Sequence, residues 1–172
     1  MDEPELELES RQAIYRAISD APGSHLRALH RQLDYAKGTV QYHLQWLIDH
    51  ELVEAESDGE YTRYYPAHAF AADDKRILSE LRRSYSRTII AHLAADGPLT
   101  TSELAERVGR SRSTVSWHLS RLHEAGMVEK RREGRHVRYG LVDRDRLLTL
   151  YVAYEGSFTD RLLDNVLDLW NA

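Results

Sequence analysis

The chain has 172 residues, a net charge of −5 and no cysteine, which excludes disulfide bridges and thiolate metal sites. No stretch approaches the roughly 18 apolar residues that a membrane-spanning helix requires. The acidic start, MDEPELELES, lacks the basic and then apolar pattern of a signal peptide. We therefore expect a cytoplasmic protein with no membrane partner.

One block of the sequence occurs twice, at a constant offset of 75 residues and without a gap. A repeat of about 55 residues has the size of a small domain rather than of a solenoid unit. The two copies share the pairs Ile14/Ile89, Leu29/Leu104, Thr39/Thr114, Val40/Val115, His43/His118, Leu44/Leu119, Leu47/Leu122, Val53/Val128, Glu54/Glu129, Gly59/Gly134, Arg63/Arg138 and Tyr64/Tyr139. The repeat predicts an acidic segment (1–10), a first domain (11–66), a linker that starts a connecting helix (67–86), a second domain (87–142) and C-terminal helices (143–172).

The first copy has the pattern of a helix, a helix-turn-helix and a β-hairpin. Ile14 and Ile18 stand at helical spacing in the leading helix. Asp58-Gly59 is a strong signal for a two-residue hairpin turn. The second helix of the helix-turn-helix would offer DNA the residues Lys37, Thr39, Gln41, Tyr42 and Gln45.

The hairpin, or wing, of the first copy is acidic. It has one basic residue, Arg63, and five acidic residues, Glu51, Glu54, Glu56, Asp58 and Glu60. Carboxylates repel a polyanion, so this wing should not lie on DNA. We expect the first domain to orient the protein, dimerise or receive a signal, and a second DNA-reading domain is the alternative.

A single long helix is predicted over residues 73–95, between the two copies. Its apolar stripe consists of Ile77, Leu78, Leu81, Tyr85, Ile89 and Leu93. Such a helix would join the domains rigidly.

The second copy has clear signals for a helix-turn-helix. Thr100 and Glu103 form a capping box at the start of a short helix that Gly109 ends. Ser111 is an N-cap for a second helix over about residues 112–125, and Gly126 follows it as a C′ glycine. Two helices joined by a short glycine-containing turn make a helix-turn-helix.

A second hairpin follows, in which MVEKRR and RHVRYGL flank a turn at Glu133-Gly134. A helix, a helix-turn-helix and a hairpin, in this order, make a winged helix. The predicted fold is therefore mainly α with small β-hairpin wings (α+β), in two tandem winged helix-turn-helix domains.

The second copy, TTSELAERVGRSRSTVSWHLSRLHEAGMVEKRREGRHVRYGL, resembles the DNA-binding domain of ArsR- and MarR-type winged-helix transcription regulators. The run STV-x-x-HL-x-x-L-x-x-AG-M-V followed by G-R-x-x-x-Y carries this resemblance. The first copy, PGSHLRALHRQLDYAKGTVQYHLQWL, resembles the N-terminal half of tandem winged-helix regulators common in archaea, and SFTDRLLDNVLDLW is similar to their end. The resemblance implies a transcription regulator that binds double-stranded DNA.

Charge favours the second copy as the DNA-binding one. Residues 86–141 include ten basic and six acidic residues, whereas residues 11–66 include six basic and eight acidic ones. The predicted contacts on the recognition helix are Ser111, Arg112, Ser113, Thr114, Ser116, Trp117, Ser120 and Arg121. Those on the wing are Lys130, Arg131, Arg132, Arg135 and Arg138.

Two recognition-helix residues carry specific expectations. The guanidinium of Arg112 can donate two hydrogen bonds, to O6 and N7 of guanine. The resembling regulators often have a basic residue where Trp117 stands, so this indole either packs on a sugar or a thymine methyl, or lies in a protein interface.

The C-terminal region predicts two helices, broken at Glu155-Gly156, with Ser157 as cap of the second. The second has a broad apolar face made of Leu162, Leu163, Val166, Leu167 and Trp170. We expect this face to form a homodimer interface, which would place two recognition helices at half-site spacing, about 34 Å apart.

We expect no metal, no cofactor and no enzymatic activity. The histidine pairs His25/His30 and His118/His123 are five residues apart, not the four that place two ligands on one helical face. No phosphate loop, nucleophile–base pair or paired carboxylates are recognisable. The alternative to a DNA-binding regulator is an adaptor that binds the transcription machinery without reading bases.

Overall fold

The computed structural model describes residues 3–158, and side chains from residue 7 onward. The predicted dimer residues Leu162, Leu163, Val166, Leu167 and Trp170 lie outside the described residues. The chain divides into two compact units, one up to Ser79 and one from Glu80.

The first unit begins with a helix and continues as a winged helix-turn-helix. Its elements are α1 (Glu3–Asp20), β1 (Ser24–His25), α2 (Leu26–Gln32), α3 (Lys37–Asp49), β2 (Val53–Ser57), β3 (Thr62–Pro66) and most of α4 (Ala72–Leu81). The second unit repeats this order with α5 (Ser84–Asp96), β4 (Leu99–Thr100), α6 (Thr101–Val108), α7 (Arg112–Glu124), β5 (Val128–Glu133) and β6 (His136–Leu141). It ends with α8 (Arg144–Tyr154) and a 3₁₀ turn (Glu155–Ser157). The predicted mainly helical fold with small hairpin wings is confirmed.

Strand pairing repeats with the same offset as the sequence. Each unit has a three-stranded antiparallel sheet, in the orders β1-β3-β2 and β4-β6-β5. His25 pairs with Arg63 in the first sheet, and Thr100 pairs with Arg138 in the second. The duplication therefore preserves register as well as element order.

The shared apolar positions form the cores of both domains. In the first domain the buried cluster consists of Ile14, Ile18, Leu29, Val40, Leu44, Leu47 and Val53. In the second domain the matching residues Ile89, Leu93, Leu104, Val115, Leu119, Leu122 and Val128 are buried as well. Full burial of such side chains contributes about 1.5–3 kcal/mol each, so these positions hold the helix-turn-helix together.

The predicted caps of the second domain are confirmed. The Thr100 amide donates to Glu103 Oε2 at 2.7 Å, and the Glu103 amide donates to Thr100 Oγ1 at 3.2 Å. The Ser111 hydroxyl accepts from the Thr114 amide at 3.2 Å and starts α7. Gly126, after α7, has a φ of +73°.

The first domain ends its corresponding helix without a glycine. Glu51, at the position of Gly126, adopts a φ of +56° itself. This conformation costs roughly 1–2 kcal/mol for a residue with a Cβ.

The predicted single helix over residues 73–95 is wrong, because α4 ends at Leu81 and α5 begins at Ser84. Side chains from the start of α5 stabilise the break. The Arg87 guanidinium donates to the Leu81 carbonyl at 2.6 Å, and the Ser86 hydroxyl donates to Glu80 at 3.0 Å. The apolar stripe continues through the break, so its periodicity did not reveal it.

Both hairpin turns also differ from prediction. The first wing has a four-residue loop over 58–61, in which Asp58 Oδ1 accepts from the amides of Glu60 and Tyr61. In the second wing Glu133 pairs with His136, so the turn residues are Gly134 and Arg135. The predicted turn was one residue too early.

Among the described residues, we find no helix with the length and apolar character needed to cross a membrane.

Candidate nucleic-acid interface

Helix α7 presents a polar outer face opposite its buried side. Val115, Leu119 and Leu122 face the core, which fixes the orientation of the helix. The exposed outer face carries the predicted contacts Arg112, Ser113, Ser116, Trp117 and Ser120. Thr114 is half-buried and its hydroxyl lies 2.8 Å from that of Ser111, so these two residues shape the helix start.

Trp117 and Arg121 form a unit on this face. The Trp117 side chain is 54% exposed, and the Arg121 guanidinium lies 5.2 Å from its ring centroid. Arg121 also donates to the buried carboxylate of Glu80 at 2.9 Å. Arg121 is therefore engaged inside the domain and is less available to DNA than the sequence suggested.

Three basic side chains of the second wing, Lys130, Arg132 and Arg135, are exposed. Within residues 7–158 none of them has a carboxylate partner. Arg132 donates only to the Gly134 carbonyl, at 3.3 Å. Arg131 differs, because its guanidinium lies 2.5 Å from Glu129.

Arg138 is held inside the second domain. It donates to the Pro98 carbonyl and to Glu103, both at 3.2 Å, and lies 3.1 Å from Glu133. The sequence placed Arg138 among the DNA contacts because of its charge. The structure gives it a scaffold role, since its three partners join the wing to the start of α6.

Arg63 has the same role in the first domain and is more deeply buried. Its guanidinium donates to the Gly23 carbonyl at 3.0 Å and to Asp58 at 2.6 Å. Burial alone would raise the pKa of Asp58, but the amides of Tyr61 and Glu60 and the Arg63 guanidinium outweigh it and hold this pKa well below its usual range. The one basic residue counted on the first wing is thus unavailable to a phosphate.

Lys75 neutralises part of the acidic wing, which the sequence analysis missed. Its ammonium lies 2.5 Å from Glu54 and 2.6 Å from Glu56. Hydrogen bonds from the Lys75 ammonium and the His68 amide lower the pKa of Glu54. Because Lys75 stands 19 residues after Glu56, spacing along the chain gave no signal for this contact.

The recognition helix of the first domain, α3, is less suited to DNA. Lys37, Gln41, Tyr42 and Gln45 are exposed, whereas Thr39 is half-buried. Gln45 donates to Asp49 at 2.8 Å, which occupies the amide. The N-cap residue of α3, Ala36, offers no side-chain hydrogen bond to the start of the helix.

Comparison with known proteins supports this description of both halves. Residues 8–78 match a family described as an N-terminal HTH domain, and residues 82–129 match one described as winged helix-turn-helix DNA-binding. Both halves of the chain are helix-turn-helix domains, and the chain is homologous to archaeal helix-turn-helix regulators.

Individual relatives match parts of this chain. The HTH-type transcriptional regulator MJ1398 of Methanocaldococcus jannaschii is 29% identical over 131 residues, which are 76% of this chain but 33% of the relative. The HTH-type transcriptional regulator CmtR of Mycobacterium tuberculosis is 46% identical over 57 residues, 33% of this chain and 47% of CmtR. The solved transcriptional repressor BigR from Xylella fastidiosa is 25% identical, with a TM-score of 0.41 over 46% of this chain and 81% of BigR. The chain thus spans about a third of the length of MJ1398.

The repeated histidines of this chain are packing residues. His43 and His118 stand at the same repeat position, and the Nδ1 atom of each is buried without a hydrogen-bond partner among the described residues. Burial lowers the pKa of both imidazoles. No group of three or more metal-ligating side chains occurs in the described part of the chain.

Proposed function

We propose that this protein is a sequence-specific transcription regulator that binds double-stranded DNA through its second winged helix. The observation that carries the proposal is the cluster of Lys130, Arg132 and Arg135, three exposed cations without carboxylate partners in the described residues. They belong to the same winged helix as the exposed face of α7. Cations at a wing contact phosphates, while a recognition helix contacts base edges.

The match of residues 82–129 to a DNA-binding winged-helix family favours this function over a protein adaptor. The proposal includes no catalytic activity and places the regulator in the cytoplasm. In the proposed homodimer, two copies of α7 would contact half-sites about 34 Å apart on one duplex.

The first domain, in this proposal, does not read bases. Its one wing arginine, Arg63, is buried, and the cation that lies near its wing, Lys75, is paired with Glu54 and Glu56. Instead, it orients the second domain, contributes to dimerisation or receives a signal.

Selection of binding sites from random duplexes with the full chain, followed by fluorescence anisotropy, tests the proposal. Arg112→Ala should weaken binding to the selected site by roughly 1–3 kcal/mol and relax preference at one base pair. Arg135→Ala should weaken all duplexes alike and lower the salt slope by about one unit. Arg16→Ala, at an exposed position on α1, is the control and should change neither. Failure to select any site, or binding that is insensitive to salt, would contradict the proposal.

A further inference from the structure

Trp117 is a large apolar side chain at the centre of an otherwise hydrophilic surface. We propose that its indole reads the 5-methyl group of thymine in the major groove, and that Arg121 and Glu80 position it there. The inference rests on the proposed function of α7 and assigns a specificity-determining residue within it.

The residues nearest to Trp117 on the exposed face of α7 have short side chains. Ser113 and Ser120 are one helical turn before and after it, and Ser116 precedes it. These hydroxyl side chains are short, so they leave the exposed part of the indole open to a duplex that approaches α7. The thymine methyl is the one apolar group among the base edges that line the major groove. Covering it with the exposed part of the indole removes apolar surface from water on both sides.

Two neighbouring side chains lie beside the indole. The His118 ring meets it edge-on, with centroids 4.9 Å apart and an interplanar angle of 87°. The Arg121 guanidinium lies 5.2 Å from its centroid. A cation at this distance from a tryptophan ring is attracted by its electron-rich face.

Glu80 in turn fixes Arg121. Its side chain is 7% exposed, and its carboxylate accepts from Arg121 at 2.9 Å and from the Ser86 hydroxyl at 3.0 Å. Because Arg121 is tied to a buried anion of its own unit, it stays beside the indole instead of extending to a phosphate. Arg121 and Glu80 are therefore positioning residues for Trp117.

The first domain supplies a matched comparison. Tyr42 stands at the repeat position of Trp117, is 58% exposed and meets His43 edge-on at 5.0 Å. The position of Arg121 is occupied there by Trp46, over which Arg11 lies at 4.0 Å. Tyr42→Ala thus removes an equally exposed aromatic side chain from the domain that does not read bases.

The test uses the full chain and a selected duplex in which each thymine is replaced, one at a time, by deoxyuridine. This exchange removes only the methyl group. Wild-type protein should lose about fourfold in affinity at one position of each half-site, the effect of one buried methyl-sized group. Trp117→Ala should bind the thymine and uracil duplexes equally, and Tyr42→Ala should keep the wild-type ratio.

Glu80→Gln tests the positioning role. Without the charge that holds Arg121, the affinity for the thymine duplex should exceed that for the uracil duplex by less than about twofold. Helix α7 should keep its fold, and Arg112 should keep its base preference. A merely structural defect would weaken both duplexes alike and leave the ratio unchanged.

The outcomes separate this inference from the function on which it rests. If the wild type selects a site but shows no methyl sensitivity anywhere, the indole packs on deoxyribose or on a protein partner, and the inference is wrong while DNA recognition stands. A methyl effect that survives Trp117→Ala also overturns it. If no site is selected at all, the proposed function itself fails.

Discussion

The two wings share a scaffold and differ in the charge that remains after internal pairing. In each, a strand arginine binds a backbone carbonyl at equivalent positions, Gly23 for Arg63 and Pro98 for Arg138. Each of these arginines also pairs with a carboxylate at the start of the hairpin loop or turn, Asp58 or Glu133. The two wings differ in the other charged residues around this shared arginine–carboxylate pair.

A count of formal charges on each wing does not show which charges are available to a ligand, because some are already paired. On the first wing Glu54 and Glu56 share Lys75, and on the second Arg131 pairs with Glu129. The cations that remain exposed and without carboxylate partners in the described part of the second wing are Lys130, Arg132 and Arg135. Internal ion pairs therefore use some of the charges to stabilise the fold, and only the remaining charges are available to a polyanion.

The largest expected effect comes from giving the second wing the residues of the first. Lys130→Ala, Arg132→Ser and Arg135→Glu together copy residues 55, 57 and 60 onto the second wing. Loss of three phosphate contacts should lower the salt slope by about 2.7 units and weaken binding on the order of a hundredfold at physiological salt. Fluorescence anisotropy across a salt series measures both, and unfolding in urea should be unchanged because the three side chains are exposed.

The reciprocal exchange is the control for that experiment. Ala55→Lys, Ser57→Arg and Glu60→Arg make the first wing basic and should leave affinity for the selected site unaltered. If instead this variant gains several units of salt slope, the first domain also lies on DNA and the contrast between the wings loses its functional meaning.

A smaller effect is expected from substituting the two scaffold arginines, Arg63 and Arg138, which differ in burial. Arg63 is 3% exposed, so Arg63→Ala leaves Asp58 without its cation and should lower the free energy of unfolding by about 3–5 kcal/mol. Arg138 is 30% exposed, and Arg138→Ala should cost about 1 kcal/mol or less without changing the salt slope. Urea unfolding followed by circular dichroism measures the two losses. Arg131→Ala, which breaks a pair at the surface, is the control, and a reduced salt slope for Arg138→Ala would return that residue to the DNA contacts.

The smallest expected effect concerns the N-caps of α2 and α6. His25 and Thr100 stand at the same repeat position but offer different acceptor atoms, a ring nitrogen and a hydroxyl oxygen. His25 Nδ1 accepts from the Ala28 amide at 3.1 Å, as Thr100 Oγ1 does from the Glu103 amide. Burial, and then the charge of Arg63, lower the pKa of His25 from 6.5, which keeps the imidazole neutral and able to accept. Its cap should therefore stabilise the first domain fully above about pH 6.5 and be lost as the pH falls through the lowered pKa.

Substitutions at these caps test the difference in pH dependence. Thr100→Ala should cost about 1 kcal/mol at both pH 8 and pH 5, whereas His25→Ala should cost a similar amount at pH 8 and less at pH 5. His25→Asn retains an acceptor that does not titrate, so the difference in unfolding free energy between the Asn and Ala variants should be the same at both pH values. Equal losses for His25→Ala at pH 5 and pH 8 would mean that the cap does not respond to protonation.

The helix boundaries show where prediction from sequence succeeds. The capping box at Thr100, the N-cap at Ser111 and the glycine at position 126 were predicted correctly because each depends on hydrogen bonds within four residues. The break between Leu81 and Ser84 was missed, since it depends on the guanidinium of Arg87 reaching the Leu81 carbonyl. No local pattern marks that contact.

For the candidate site, the sequence predicted DNA contacts on the recognition helix and the wing, and the structure shows which of their cations already have a carboxylate partner. Arg121 and Arg138 were counted because of their charge, and the structure pairs them with Glu80, Glu103 and Glu133. Exposure of Arg112, Trp117, Lys130, Arg132 and Arg135 agrees with the prediction, although their contact with DNA stays a proposal.

The duplication, the order of elements within each winged helix and the core could be predicted from the amino-acid chain, because apolar periodicity, capping and a constant offset are properties of the chain. Which charges face solvent depends on how the chain packs in three dimensions. An ion pair such as Arg121 with Glu80 joins residues 41 positions apart, and its partners are chosen by packing rather than by distance along the chain.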